Sequence, residues 1–345
     1  MLQPWLTTFG VTRVADVTWL DDLGIPVFQA IRPMSRSLAL SQGKGITADL
    51  ARISAIMETL EGRAAETVPI AHQRVSALDL DLPYDVGLLA RDGYADLART
   101  ALQDWCPAVD VRSGEATVLP SAYVSLDWTL KDRWSPSPYS STSNGLASGN
   151  TLAEAVLHGL LEVVERATPD DAETDPYIEL ASITAPYARG LLETIAASDS
   201  TIHVRYQAND WGIPVFAASL RNPAYPRFFG GYGAHLDPDV ALCRAITEAA
   251  QSRATHIAGS RDDMGAGAYL FAHFGPAQAP PEETMTYAEV LARCPSETTG
   301  DIVGDLDRVL AALGDEPVLM TDLSLAPGIH VAKVVTPTLA DPQGH

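Results

Sequence analysis

Between residues 11 and 40 the short apolar runs VTRVADV, IPVFQAI and SLAL alternate with turn residues at Asp21, Asp22, Gly24, Pro26 and Pro33. That pattern predicts strands joined by tight loops. From about Thr47 to Glu66 the period becomes helical, with Thr47 as N-cap and Leu50, Ile53, Met57 and Leu60 on one apolar face. The stretch 134–150, WSPSPYSSTSNGLASGN, is dense in Ser, Gly, Pro and Asn and reads as a surface loop. A second helix is expected from Thr151, with Glu154 three residues on in the form of a capping box and Leu152, Val156, Leu160, Val163 and Val164 as its apolar face. A third should follow Asp237-Pro238, an N-cap and a first-turn proline, and run through ALCRAITEAAQSRATHIA. PAQAPPEETM, from Pro276, reads as a linker, and DIVGDLDRVLAALGDE as a last helix before closing strands. Strands and helices mix without regular alternation, so the expected class is α+β rather than a doubly wound sheet.

The 345 residues are 46% hydrophobic, enough for a sizeable core. With 23 Lys+Arg against 44 Asp+Glu, the formal charge of -21 sets the chain against nucleic-acid backbones and anionic lipid surfaces, so neither is an expected partner. No apolar run long enough for a membrane span is present, and the N-terminal residues lack the features of a targeting segment; the expectation is a cytoplasmic protein. Cys106, Cys243 and Cys294 are far apart and odd in number, which suits reduced thiols better than disulfides or a zinc site. GGYGAH at 230–235 has neither the Lys-Ser/Thr of a Walker A loop nor a full GxGxxG.

Oxygen-bearing side chains recur on the three helices. The first carries Ser54, Glu58 and Glu61, the second Glu154, Glu162 and Glu165, and the third Glu248 and Gln251, at spacings of three, four and eight. Spacings of three and four put side chains on one helical face. Such carboxylates repel one another unless cations join them, and hard divalent ions such as Mg2+ prefer these oxygens. An ExxE pair taken alone is more often a solvated face, Glu154 is equally explained by its capping box, and Arg166 fits an ordinary ion pair. Against that, Ala55, Ala155, Ala249 and Ala250 beside these residues point to close packing.

Three segments, SQGKGITADLARISAIMETLE, SNGLASGNTLAEAVLHGLLEVVER and GYGAHLDPDVALCRAITEAAQSRATHIAGSRDD, resemble the nucleotide-binding stretches of the YcaO family; with VTRVADVTWLDDLGIPVFQAIRP the similarity runs from about Gly10 to Asp263. The resemblance implies one catalytic domain over 1–345, with a subdomain break near 134–150 and a linker near 276–285. It also implies an enzyme that uses ATP and Mg2+ to phosphorylate the oxygen of a peptide backbone amide, after which a nucleophile adds and phosphate leaves. The metal and nucleotide positions then fall on Glu58, Glu61, Glu162, Glu165 and Gln251, with Glu248 close by, and the polar nucleotide contacts on Ser54, Asn150, Glu154, Arg166 and Arg253. Arg166 or Arg253 would supply a fixed positive donor. Lys44, between two glycines, would reach phosphate or the amide oxygen, and His235 would shuttle a proton; an exposed loop lysine and a packed histidine are the plain alternatives.

GVTRVADVTWLDDLGIPV and EAAQSRATHIAGSRDDM resemble the branch of the family that works with a TfuA partner, for which the implied product is a thioamide. Azoline formation is the alternative, but VVTPTLADPQGH departs from the PxPxP tail of many azoline-forming members. A non-catalytic scaffold is a third reading. No sulfur-carrying cysteine motif is visible, so an external sulfide source is expected, alongside a peptide or protein substrate and, by resemblance, a homodimer. No fused leader-binding domain is expected.

Overall fold

The computed structural model describes residues 3–129, 137–171, 174–223, 225–261 and 284–340. Pro276 and most of the expected linker, like the last five residues, lie outside this set. The chain divides into two compact units: Met1–Met34, Leu38–Thr59 and Thr168–Thr298 form the first; Ser35–Ser37, Leu60–Ala167 and Thr299–His345 the second.

In the first unit helix α1 (Gln3–Thr8) leads into a three-stranded antiparallel sheet of β1 (Arg13–Asp16), β2 (Val27–Ile31) and β3 (Leu40–Lys44), followed by α2 (Ala48–Ala65), which crosses the boundary between the units. SLAL was expected to be a strand; only its last residue is, because β3 starts at Leu40, opposite Ile31. Thr47 caps α2, its Oγ1 accepting from the Leu50 amide at 3.3 Å.

The second unit holds β4 (His72–Val75), α3 (Ala95–Thr100), β5 (Gln103–Asp110), β6 (Ala116–Pro120), α4 (Ser121–Val124), β7 (Leu146–Gly149) and α5 (Leu152–Ala167). The chain returns to the first unit with β8 (Tyr177–Ile178), α6 (Pro186–Ala196), β9 (Thr201–Gln207), β10 (Val215–Asn222), β11 (Tyr225–Ala234), α7 (Pro238–Ala258), β12 (Thr284–Met285) and α8 (Tyr287–Arg293). It ends in the second unit with α9 (Ile302–Ala312), β13 (Leu319–Asp322) and β14 (His330–Val335). The first unit's larger sheet runs β11-β10-β9-β8-β12; that of the second runs β4-β5-β13-β14-β7, with β6 on β5. This is the expected mixture of strands and helices. Among the described residues no helix is long and apolar enough to cross a membrane. Each unit has its own apolar core, one built on β9, β10, α6 and α7, the other on β5, β13, β14 and the end of α2.

Two expectations are corrected. Leu50 and Ile53 are not on the buried face of α2: they are 49% and 47% exposed, while Ala51 and Ala55 are fully buried. The reason is steric. A Cβ on Gly43 of β3 would lie 2.0 Å from the Ala55 nitrogen, so α2 is seated backbone-on-backbone through its alanines. Nor is 134–150 a surface loop throughout, since Asn144 to Gly149 are buried and 146–149 form β7, the strand beside β14.

Each of the three long helices follows such a strand. A Cβ on Gly149 of β7 would sit 2.6 Å from the Ala155 nitrogen of α5, and one on Gly231 of β11 would sit 2.2 Å from the Ala249 nitrogen of α7. Gly231→Ala is therefore expected to destabilise the protein by about 1–3 kcal/mol. Gly190→Ala, inside α6 where a Cβ meets nothing, is expected to stabilise it by about 0.5–1 kcal/mol. Urea unfolding midpoints of the two variants check both signs.

Candidate functional site

The glycine–alanine seating fixes which helical faces remain for polar side chains. On α7, Ala241, Ala245 and Ala249 meet β11, and Glu248 and Gln251, three residues apart, stay partly exposed. Lys44, the last residue of β3, forms an ion pair with Glu248, and its amide N–H donates to Ser54 Oγ at 3.4 Å. The first unit thus brings Lys44, Ser54 and Glu248 together; Glu58, one turn beyond Ser54, is exposed.

Arg253 is turned elsewhere. It is 5% exposed, its Nε lies 2.9 and 2.7 Å from the two Asp21 carboxylate oxygens, and its Nη2 donates to Asp21 at 2.8 Å and Asp22 at 3.0 Å. Burial alone would raise the Asp21 carboxyl, but the guanidinium holds it below its ordinary value. Asp22 is raised, chiefly by its hydrogen bond with Asp21. Only the buried Nη1 of Arg253 has no acceptor. His235 accepts the Asp237 N–H at 2.9 Å through Nδ1, at the opening of α7. Asp237 caps that helix, about three turns before Glu248.

In the second unit the face of α5 away from its apolar residues carries Glu154, His158, Glu162 and Glu165, all half-buried. Thr151 Oγ1 accepts the Glu154 N–H at 3.2 Å, as a capping box requires, but the Glu154 carboxylate takes the Asn150 amide at 2.8 Å and the Asn150 side chain at 3.1 Å. Asn150 and Glu154 therefore form a unit of their own. Glu61 of α2 accepts from Ser148 Oγ at 2.6 Å, and the Ser148 carbonyl meets His158 Nδ1 at 3.2 Å. Glu162 lies 3.9 Å from Arg166 Nη2.

Burial pushes the Glu162 carboxyl up to about 7; Arg166 and Lys333 oppose the rise, and Glu165 and Glu61 add to it by repulsion. Because this value exceeds that of the unfolded chain, the stability Glu162 contributes without bound cations is complete below about 4.5 and is lost as pH rises through about 7. In EDTA, unfolding free energy measured from pH 5 to 8 is expected to fall more steeply for the wild type than for Glu162→Gln.

Among the described residues, no three His, Cys, Asp or Glu side chains form a group able to hold a metal ion unaided. Mg2+ in nucleotide sites is held by one or two carboxylates, with phosphate oxygens and water completing the shell. In the second unit the Glu162 carboxylate, repelled by Glu61 and Glu165, suits that mode; in the first, Glu248 and Gln251 of α7 offer a carboxylate and an amide. The sequence missed Asp21 and Asp22, which it took for a turn, and Lys333, which is fully buried and which no local pattern marks. The three thiols are free, and burial raises each of them, Cys106 and Cys243 to about 11, which suits structural cysteines.

The chain belongs to the YcaO family: the family model described as YcaO cyclodehydratase, ATP- and Mg2+-binding, matches residues 42–340. It is 42% identical over 275 residues to a protein of Mycobacterium tuberculosis, covering 78% of this chain and 62% of that one. It is 37% identical over 289 residues to a protein in the tfuA 3' region of Rhizobium leguminosarum bv. trifolii, covering 76% and 66%. The chain thus spans somewhat under two thirds of the length of these curated relatives. YcaO from Methanopyrus kandleri, solved bound with AMPPCP and Mg2+, superposes with a TM-score of 0.74 at 26% identity, over 97% of this chain and 87% of that one.

Proposed function

We propose that the protein uses ATP and Mg2+ to phosphorylate the oxygen of a peptide backbone amide, and that sulfide then adds at the activated carbon to give a thioamide. The observation that carries the first half is the carboxylate set on α2, α5 and α7, in a chain whose family model is described as ATP- and Mg2+-binding. The second half is supported by the likeness to a protein of a tfuA region. A TfuA-like protein is the partner this reading implies, with sulfide supplied from outside the chain.

Mg2+ would neutralise triphosphate and carboxylate charge and stabilise the charge spread over the transferred phosphoryl. Glu58, Glu61, Glu162, Glu165, Glu248 and Gln251 would hold it. Lys44 and Arg166, each in an ion pair with one of these carboxylates, would bind phosphate oxygens. Ser54 orients the Lys44 backbone, and Asn150 and Glu154 hold the turn into α5. The amide oxygen bonds to the γ-phosphorus as ADP leaves; HS⁻ adds to the former carbonyl carbon; the C–O bond breaks and the sulfur-bound proton leaves with the phosphate as hydrogen phosphate, so that C=S remains. Activation is needed because an amide oxygen is a poor leaving group and its phosphate ester a good one.

The test is incubation with ATP, Mg2+, sulfide and peptides encoded beside the gene, read by mass spectrometry. Exchange of oxygen for sulfur adds about 16 Da, whereas cyclodehydration to an azoline removes about 18 Da by loss of water after the same phosphoryl transfer. Gain of mass with ADP release is the expected outcome; loss of mass would assign the azoline product, and no ATP consumption with any peptide would overturn the catalytic reading.

A further inference from the structure

Lys333 sits in β14 with no exposure, between the apolar Val331 and Val335 on the same face of the sheet. Its Nζ donates to the Thr142 carbonyl at 2.7 Å, and the face of the Tyr123 ring lies 5.5 Å away. Neither partner carries a full negative charge. An ammonium taken out of water costs several kcal/mol unless an opposite charge offsets it, and a methionine of similar volume would fill the same space at no such cost. The opposite charge acting on Lys333 is that of Glu162, which in turn is repelled by Glu61 and Glu165. The strands link these groups. Lys333 pairs with Leu146 of β7, and Ser148, two residues along the same strand, donates to Glu61.

We propose that Lys333 is a built-in counter-cation for the Glu61, Glu162 and Glu165 group, fixed on a rigid strand and offsetting carboxylate repulsion when no divalent ion is bound. It is a positioning residue, since its ammonium is buried and acts on the site by its charge on Glu162 rather than by contact with a ligand. The inference rests on the reading of Glu162 as a metal-facing carboxylate. It explains how acidic side chains that face one another on α2 and α5 remain in place before a nucleotide arrives, and why this strand position holds a lysine in a chain with only three.

The experiment is thermal unfolding of the wild type, Lys333→Met and Lys333→Met/Glu162→Gln, each in EDTA and with saturating Mg2+ and a non-hydrolysable ATP analogue. In EDTA, Lys333→Met is expected to melt about 3 °C or more below the wild type. Mg2+ and nucleotide should close at least half of that gap, and the double variant should regain the wild-type melting temperature without metal. A single variant that melts at or above the wild type in EDTA, or that loses the same number of degrees with and without Mg2+, overturns the proposal. If the single variant does not fold, a folded double variant supports it and an unfolded one overturns it. Calorimetric titration of Glu162→Gln with Mg2+ and ATP keeps the two readings apart: unchanged binding there removes Glu162 from the nucleotide site and with it the premise of this inference, whereas altered binding with no metal dependence in Lys333→Met removes only the role of the lysine.

Discussion

Glu162→Gln is expected to lower ATP turnover about 100-fold or more without unfolding the protein. Disturbing even an outer partner of a metal ligand costs 10–100-fold, roughly, in affinity or activity, and a residue that touches the ion should cost at least that much. The fold should survive because burial and the neighbouring Glu61 and Glu165 already favour the neutral form of this side chain, pushing its carboxyl up to about 7, and an amide is an uncharged replacement of the same shape. Steady-state ADP release under saturating ATP and Mg2+, with far-ultraviolet circular dichroism as the control for folding, measures both halves. Turnover within a few-fold of the wild type would remove Glu162 from the metal-binding set.

Arg253→Leu is expected to act in the opposite manner, through the fold. The substitution strips the buried Asp21 carboxylate of its bidentate partner, and breaking a buried pair from one side costs about 3–5 kcal/mol because the remaining charge is left uncompensated. The loss should appear as a lowered denaturant midpoint. Asp21→Asn combined with Arg253→Leu should recover part of it, since the stranded charge is then gone. A single variant within 1 kcal/mol of the wild type, roughly, would mean that the pair contributes little. The arginine would also lose its unpaired Nη1 donor, so nucleotide affinity in the double variant asks separately whether that N–H meets phosphate.

These two residues show what the sequence made legible. The carboxylate spacing on α5 and α7 is a local pattern, and so are the caps: Asp237 accepts the Asp239 N–H and Pro238 opens α7, as the dipeptide predicts. The partners of those residues are not local. Arg253 and Asp21 are 232 positions apart, Lys44 and Glu248 are 204 apart, and no periodicity links them. The apolar face of α2 was misjudged because hydrophobic size was weighed above closeness of approach; two alanines against Gly43 outcompete Leu50 and Ile53 for the sheet. The polar composition of 134–150 hid β7, a strand whose pairing with β14 comes from nearly two hundred residues downstream. Helices α3 and α8 went unnoticed, being six and seven residues long, too short for a helical period to stand out, and α6 was missed although it is as long as α9, which the pattern did predict.

The glycine contacts that seat each long helix on its preceding strand have a bearing on how a protein of this family can diversify. Seating contacts and acidic side chains occupy opposite sides of α7: Gly231 and Gly233 lock Ala245 and Ala249, and Glu248 projects from the side they leave open. Mutations on the open side leave these backbone contacts intact, so the polypeptide keeps its shape and abundance. Natural selection can thus vary the polar sides of these helices without first having to rescue folding.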